Sequence, residues 1–289
     1  LNDTAEPMPY RWAVVGLIAS FLILAIFTRL ACMQVWIAAI FFGLYFMLSF
    51  AITRVRAELG TPHEIYYVNP HDIMATAGGT RNFDPSSLTI VSLFYWFNRG
   101  YRNHPMPNQI EAFKIAESVG MPNRSLWLAM VVAIIVGIVA TFWANLDVTF
   151  RNGAIAKAAG FKDWVGRESF NRLQRWLHNP SEPNLTKSGF MGLGGLLTLG
   201  MMFMRVRFLW WPFHPAGYAL AISFAMDYFW FTFLAAWLIK LLIVRHGGLQ
   251  MHRQLAPFFL GLILGDYVIG SIWSLIGTGL GVRTYKIFI

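Results

Sequence analysis

Apolar runs long enough to cross a lipid bilayer recur along the chain, and no other feature limits its fold as sharply. A membrane helix needs about 20 residues, because the hydrocarbon core is about 30 Å thick and each residue rises 1.5 Å. Residues 12–28 and 33–53 form two such runs, and their link is so short that they must make a tight antiparallel hairpin. Residues 126–144, 216–244 and 255–276 form three more. Residues 190–204 form a shorter run carrying Gly192, Gly194, Gly195 and Gly200. In lipid, backbone groups must be satisfied within the chain, so these runs read as helices. The expectation is an all-α, polytopic membrane protein of about six transmembrane helices, forming a single domain over residues 1–289.

Composition removes the alternatives. The chain is 56% hydrophobic and 13% charged, whereas soluble domains carry about 25% charged residues. The net charge of +9 would suit a nucleic-acid partner. However, the Lys and Arg residues lie mostly between the apolar runs, mixed with acids, where lipid head groups account for them. The expected partner is therefore the bilayer, with no nucleic acid. The two sides of the layout receive nearly equal numbers of loop cations, so orientation stays open. The one cysteine, Cys32, permits no internal disulfide. Arg29-Leu30-Ala31-Cys32 faintly resembles a lipoprotein cleavage site, but Arg29 stands where an apolar residue is required, so the first run is kept as a helix.

Two long polar loops, 54–125 and 145–189, interrupt the runs. The first holds the turn sequences Gly60-Thr61-Pro62, Asn69-Pro70, Gly78-Gly79 and Asp84-Pro85. Arg54 and Arg56 close the run before it. Within the loop, residues 86–97 have an apolar centre too short to span; a re-entrant segment, an interfacial helix and a helix buried in protein all fit. Residues 108–119 read as a helix with Ile110, Phe113 and Ala116 on one face, stopped at Gly120. In the second loop, residues 162–177 are amphipathic. Phe170, Leu173, Trp176 and Leu177 fall on one side, with Arg167, Arg172 and Arg175 largely elsewhere. Such a helix suits either the head-group layer or the protein's own surface. Trp210-Trp211-Pro212-Phe213-His214-Pro215 reads as an aromatic turn at an interface.

Charges inside apolar runs are the first candidates for function. Asp227 and Asp266 are expected at the centres of neighbouring spans, where a carboxylate costs roughly 2.5–3.5 kcal/mol. They fit an internal cavity that takes a cation or a proton; packing hydrogen bonds are the plainer alternative. Ser223, Tyr218, Gly194 and Gly195 join them as candidate path residues. Lys240 lies nearer a span end and is expected to snorkel. Transporters often build their sites from short or Gly-broken segments, for which residues 86–97 and 190–204 are candidates, while Gly261 and Gly265 fit close helix packing. Catalytic signatures are missing. His63-Glu64-Ile65-Tyr66-Tyr67 has Tyr67 where a zinc-binding helix needs its second histidine. His63, His71 and Asp72 are expected to be solvated loop residues rather than a surface metal cluster, and His246 and His252 read the same way. No enzyme activity, cofactor or metal is expected.

Three stretches carry a resemblance: Tyr101-Arg102-Asn103-His104-Pro105-Met106-Pro107-Asn108-Gln109-Ile110-Glu111-Ala112-Phe113-Lys114, Thr53-Arg54-Val55-Arg56-Ala57-Glu58-Leu59-Gly60, and Trp211-Pro212-Phe213-His214-Pro215-Ala216-Gly217-Tyr218. The chain resembles a family of uncharacterised prokaryotic multi-spanning membrane proteins. Pro257-Phe258-Phe259-Leu260-Gly261-Leu262-Ile263-Leu264-Gly265-Asp266 is more distantly similar to a span of the oligopeptide transporter superfamily, with Asp266 where that family has Glu. The resemblance implies a multi-pass protein of a prokaryotic plasma or inner membrane. It also implies a secondary-transporter-like permease, with proton-coupled transport of a peptide or metal chelate. Members of the closer family are about twice as long, and this chain starts at Leu1. It therefore reads as a C-terminal half, with a missing N-terminal half or a second copy as partner. A non-transporting membrane scaffold or complex subunit is the alternative.

Overall fold

The computed structural model describes residues 3, 6–60, 68–101, 104–154, 160–221, 223–282 and 284. All described secondary structure is helical. The chain divides into two units, Leu1–Ala221 and Ile222–Ile289. Five helices are long and apolar enough to cross a membrane: Tyr10–Leu30, Val35–Leu59, Asn123–Asn152, Leu185–Arg207 and Met226–Leu280.

The first unit opens with α1 (Tyr10–Leu30) and α2 (Val35–Leu59). Their link closes α1 with paired bonds, Met33 N–H to the Thr28 carbonyl at 2.9 Å and Cys32 N–H to the Arg29 carbonyl at 3.1 Å. This is the Schellman arrangement, which places the residue after the cap in the left-handed region. Cys32 occupies that position at φ 60°. Arg54 and Arg56 do not end α2; the helix runs on to Leu59 and stops at Gly60, φ 63°. An Arg54–Glu58 pair at 2.8 Å supports this polar extension.

The first loop is largely helical: α3 (Pro70–Gly78), a 3-10 turn (Thr80–Asn82), α4 (Pro85–Leu93), α5 (Tyr95–Asn98) and α6 (Pro105–Val119). Asp84 caps α4 by accepting from Ser87 N–H at 3.0 Å. The apolar centre of residues 86–97 is buried in protein. Ser87, Leu88, Val91, Phe94 and Tyr95 are each at most 7% exposed. Val91 and Phe94 join Met33, Ile37, Ala38, Phe41 and Met74 in the core of the unit. Gly120, φ 70°, stops α6 as expected. Of the expected face, Ala116 is buried and Phe113 half-buried, while Ile110 is exposed; Pro107 in the first turn is also buried.

From α4 to α6 the chain follows α2 along its length. Gln34 N–H donates to Ser87 Oγ at 3.0 Å. Phe41 meets Phe94 at 5.1 Å and Phe97 at 6.2 Å. Tyr45 stacks on Tyr101 at 5.6 Å. At the far end Arg56 grips Glu111 through two bonds of 2.6 and 2.9 Å. Gln34 to Arg56 corresponds to about 33 Å of helix, close to the hydrocarbon thickness of about 30 Å.

Next come α7 (Asn123–Asn152), α8 (Gly160–His178), α9 (Leu185–Arg207) and α10 (Pro215–Ala221). α8 docks on α4 and α5. Its inward face carries Ser169 and Arg172, with Leu173 and Trp176 half-buried beside them, while Phe170 and Leu177 point outward. The four apolar residues grouped in the sequence are therefore split. Ser92 Oγ bonds the Ser169 carbonyl at 2.6 Å, so small polar residues set the contact rather than the largest apolar ones. α7 and α9 bury no residue within the chain.

A clasp joins the two loops. Ser181 N–H donates to Thr80 Oγ1 at 2.8 Å, Arg81 N–H to the Ser181 carbonyl at 3.2 Å, and Asn184 N–H to the Thr76 carbonyl at 2.9 Å. At the other end Glu58 meets Arg205 at 3.0 Å and His214 Nε2 at 3.1 Å. His214 Nδ1 accepts from Ala216 N–H at 3.1 Å, which puts the ring proton on Nε2, facing Glu58. Trp210 and Phe213, in the preceding turn, are exposed.

The second unit is dominated by α11 (Phe224–Leu280), in which Gly248 is non-helical at φ 64°, ψ −168°. Ala236 and Ile263 line one cavity. In a straight helix they would stand about 40 Å apart, so α11 folds back on itself at Gly248 as two arms. Residues 216–244 are not one continuous helix: α10 ends at Ala221 and α11 begins at Phe224.

Candidate functional site

The break between α10 and α11 moves one expected site residue. Asp227 lies in the first turn of α11 rather than at mid-helix. Ser223 is the N-cap of that helix, is buried, and its Oγ bonds no described residue. Asp266 sits in the second arm, seven positions past Phe259, and so shares the face that lines the hairpin cavity. Asp227 precedes the cavity-lining Ala236 by nine positions, or half a turn of phase, and so falls on the opposite face of its arm. Helical phase thus separates the two acids. Both are exposed, and neither has an ion pair or hydrogen bond among the described residues. Gly194 and Tyr218 do meet: a Cβ at Gly194 would lie 3.7 Å from the Tyr218 hydroxyl. Gly195 is exposed and faces open space.

A more organised polar site lies beside α2 in the first unit. α5 ends at Asn98, halfway along the stretch that follows α2. Asn98 is fully buried, and neither its Oδ1 nor its Nδ2 bonds a described residue. Tyr101 is 1% exposed and its hydroxyl is likewise unpartnered. Its ring packs on Tyr45, whose other neighbours include His104 at 6.0 Å and Phe97 at 5.3 Å. Each buried polar group left without a partner costs about 1–3 kcal/mol. Such groups are rare in native proteins and often mark a bound molecule or a working residue.

Toward the α1–α2 turn the same interior holds a basic cluster around Tyr95. The Arg172 guanidinium lies 4.3 Å above the Tyr95 ring and bonds Glu168 at 3.3 Å. His71 stands edge-on to Tyr95 at 5.6 Å and to Trp176 at 6.2 Å. The expectation that His71 is a solvated loop residue is overturned: it is fully buried, because α3 packs on α2. Burial, helped by the nearby positive Arg172, pushes its pKa down to about 3. Asp72 Oδ1 approaches His71 Nε2 at 3.4 Å, but the contact lacks hydrogen-bond geometry and Asp72 is exposed, so burial prevails. His71 is therefore a neutral imidazole in the folded protein. His63 lies outside the described residues. No group of three His, Cys, Asp or Glu among the described residues is placed to hold a metal.

Sequence reasoning missed this interior because Asn98, Tyr101 and Arg172 sit in polar stretches that read as solvated. The available signal was the aromatic density of Phe94-Tyr95-Trp96-Phe97 followed by Tyr101, more than a surface loop would carry. The site can hold a polar group by hydrogen bonds from neutral donors and acceptors. No curated protein and no solved structure matches the chain. The profile of a family of unknown function, DUF6785, matches residues 1–289, and the chain belongs to that family.

Proposed function

We propose that the protein is a secondary-transporter-like membrane permease. The observation that carries this reading is the broken segment from Ser87 to Glu111. It accompanies α2 for about the thickness of a bilayer and interrupts its helix near Tyr45, where Asn98 and Tyr101 keep polar atoms that bond no described residue. Irregular backbone at membrane depth is tolerated where protein covers it or where it lines a cavity, and transporters place substrate and ion sites at such breaks.

We read six crossings: α1, α2, α7, α9 and the two arms of α11. The coupling ion in this reading is the proton, and the acids of α11 carry it. Asp227 has a structural alternative, since free N–H groups of the first helical turn favour a carboxylate there. Asp266 lacks that support, so it bears the main weight. Ser223, Tyr218, Gly194 and Gly195 are proposed to line the path. A peptide or metal chelate is the substrate class suggested by the likeness to oligopeptide transporters, and a prokaryotic plasma or inner membrane is the proposed location. The role is not enzymatic.

Proton uptake into liposomes tests this, with a panel of peptides and metal chelates offered to the reconstituted protein. Substrate-driven uptake that disappears in Asp266→Asn and falls in Asn98→Ala supports the permease. Uptake unchanged in both variants removes these residues from the path. A second reading, a scaffold or complex subunit partnered by a second copy or an N-terminal half, draws on α7 and α9, which bury nothing within the chain. Absence of flux across the panel, together with recovery of a stable assembly, would favour it.

A further inference from the structure

The arms of α11 flank an open-sided cleft of about 390 Å³, within the usual range for small-molecule sites. Its walls are apolar, Ile239 and Ile243 on one arm facing Phe259 and Ile263 on the other. Two polar side chains interrupt them, Lys240 and His252, both in the half of the cleft nearer the Gly248 turn. Lys240 is eight positions from Gly248, or about 12 Å of helix, and lies between Ala236 and Ile243 on the wall of its arm. His252 is one turn from Gly248 and donates a hydrogen bond in either protonation state. Arg245, His246 and Arg253 flank the turn, and no Asp or Glu lies between Asp227 and Asp266. The cleft is therefore apolar for most of its length, with Lys240 and His252 in the half nearer the turn and Asp266 beyond the other end.

We propose that this cleft binds an anionic glycerophospholipid of the surrounding leaflet. One acyl chain lies between the arms, and the phosphate sits at Lys240 and His252. Basic pockets between membrane helices select anionic head groups in this way. The apolar walls add the chain to the recognition and disfavour a free anion, whose desolvation they would not repay. This site is separate from the interior at Asn98 and goes beyond the permease reading.

The test uses the full chain in phosphatidylcholine vesicles containing a little phosphatidylglycerol with a diazirine on one acyl chain. After illumination, crosslinks are mapped by mass spectrometry. Crosslinks are expected in 236–243 and 255–263. Lys240→Gln combined with His252→Gln should reduce them about fivefold, the loss expected for roughly one lost head-group contact. Ala256→Trp fills the cleft without changing charge and should reduce them as well, with thermal melts confirming that each variant folds. Undiminished crosslinking in both variants overturns the proposal. So does equal labelling by diazirine phosphatidylcholine. Displacement by glycerol 3-phosphate would assign the cations to a free phosphate and overturn the lipid.

Discussion

Tyr101 stacks on Tyr45 with ring centroids 5.6 Å apart and planes inclined by 23°. This contact fixes the broken segment against the middle of α2, and it leaves the Tyr101 hydroxyl buried without a partner among the described residues. A stacked pair of this kind adds about 0.5–1.5 kcal/mol beyond the area it buries. The ring is thus the structural part of Tyr101 and the hydroxyl is the part without a structural use.

Tyr101→Phe keeps the stack and removes an unsatisfied buried group. The thermal midpoint in detergent should stay level or rise. Tyr101→Ala removes the ring as well and should cost about 3–5 kcal/mol. If the hydroxyl serves the transport path, Tyr101→Phe will lower substrate uptake while leaving the melt intact. A lower melting temperature in Tyr101→Phe would show that the hydroxyl has a structural partner.

Gly79 is held in a conformation that glycine alone adopts easily, φ 69° and ψ 146°. A Cβ there would overlap the backbone of the second loop, 2.6 Å from Pro183 N and 2.7 Å from the Ser181 carbonyl oxygen. Gly79→Ala should therefore open the clasp between Thr80 and Ser181, costing about 3 kcal/mol or more from strain and overlap together. Gly78→Ala, next to it, meets only the end of the Phe83 ring, which can turn aside. Its loss should be nearer 1 kcal/mol. Limited proteolysis of the 179–184 segment distinguishes the two, with faster cutting in Gly79→Ala alone.

Long apolar stretches are legible because lipid crossing demands length and hydropathy that nothing else supplies. Hence the apolar cores of α1, α2, α7 and α9 are legible, although α2 runs six residues and α7 eight residues past the apolar run. The breaks were less so. Nothing in Ala221-Ile222-Ser223 interrupts hydropathy, so a 29-residue run concealed the start of α11 and misplaced Asp227 in its helix. The loop helices were visible as elements, yet their faces were not. Arg172 and Ser169 face inward because α4 offers Ser92 and α5 offers the Tyr95 ring, partners that no periodicity along α8 discloses. His71 was lost for the same reason: burial of a loop histidine is a property of what packs over it.

Burial of His71 makes stability depend on pH. Unfolded, an imidazole binds a proton near pH 6.5; folded, His71 does so only near 3. The stability tied to this neutral ring is full above the unfolded value. It is lost as pH falls through the window from 6.5 to 3, where the unfolded chain holds the extra proton, with a slope of at most about 1.4 kcal/mol per pH unit. Glu111, held below its ordinary pKa by the Arg56 hydrogen bonds and charge, adds a further loss only under about pH 4.5. His71→Phe keeps an aromatic ring against Tyr95 and Trp176 and should flatten the melt profile between pH 6 and 5, leaving the loss at lower pH. An unchanged profile in that window would mean that the ring is charged or solvated.

Cys32 is the last prediction and the simplest in physical terms. Its φ of 60° places a residue with a Cβ where the Schellman arrangement ordinarily has glycine. A non-glycine residue there costs about 1–2 kcal/mol, offset in part by the greater freedom that glycine gives the unfolded chain. The side chain is exposed and forms no disulfide, so the substitution forfeits little. Cys32→Gly should therefore stabilise the α1–α2 hairpin by about 1 kcal/mol and raise the thermal midpoint. Cys32→Val, whose branched Cβ is worse suited to the left-handed region, should lower it. Parallel melts of the two variants read the sign directly, and a destabilised Cys32→Gly would show that the turn is not strained at this residue.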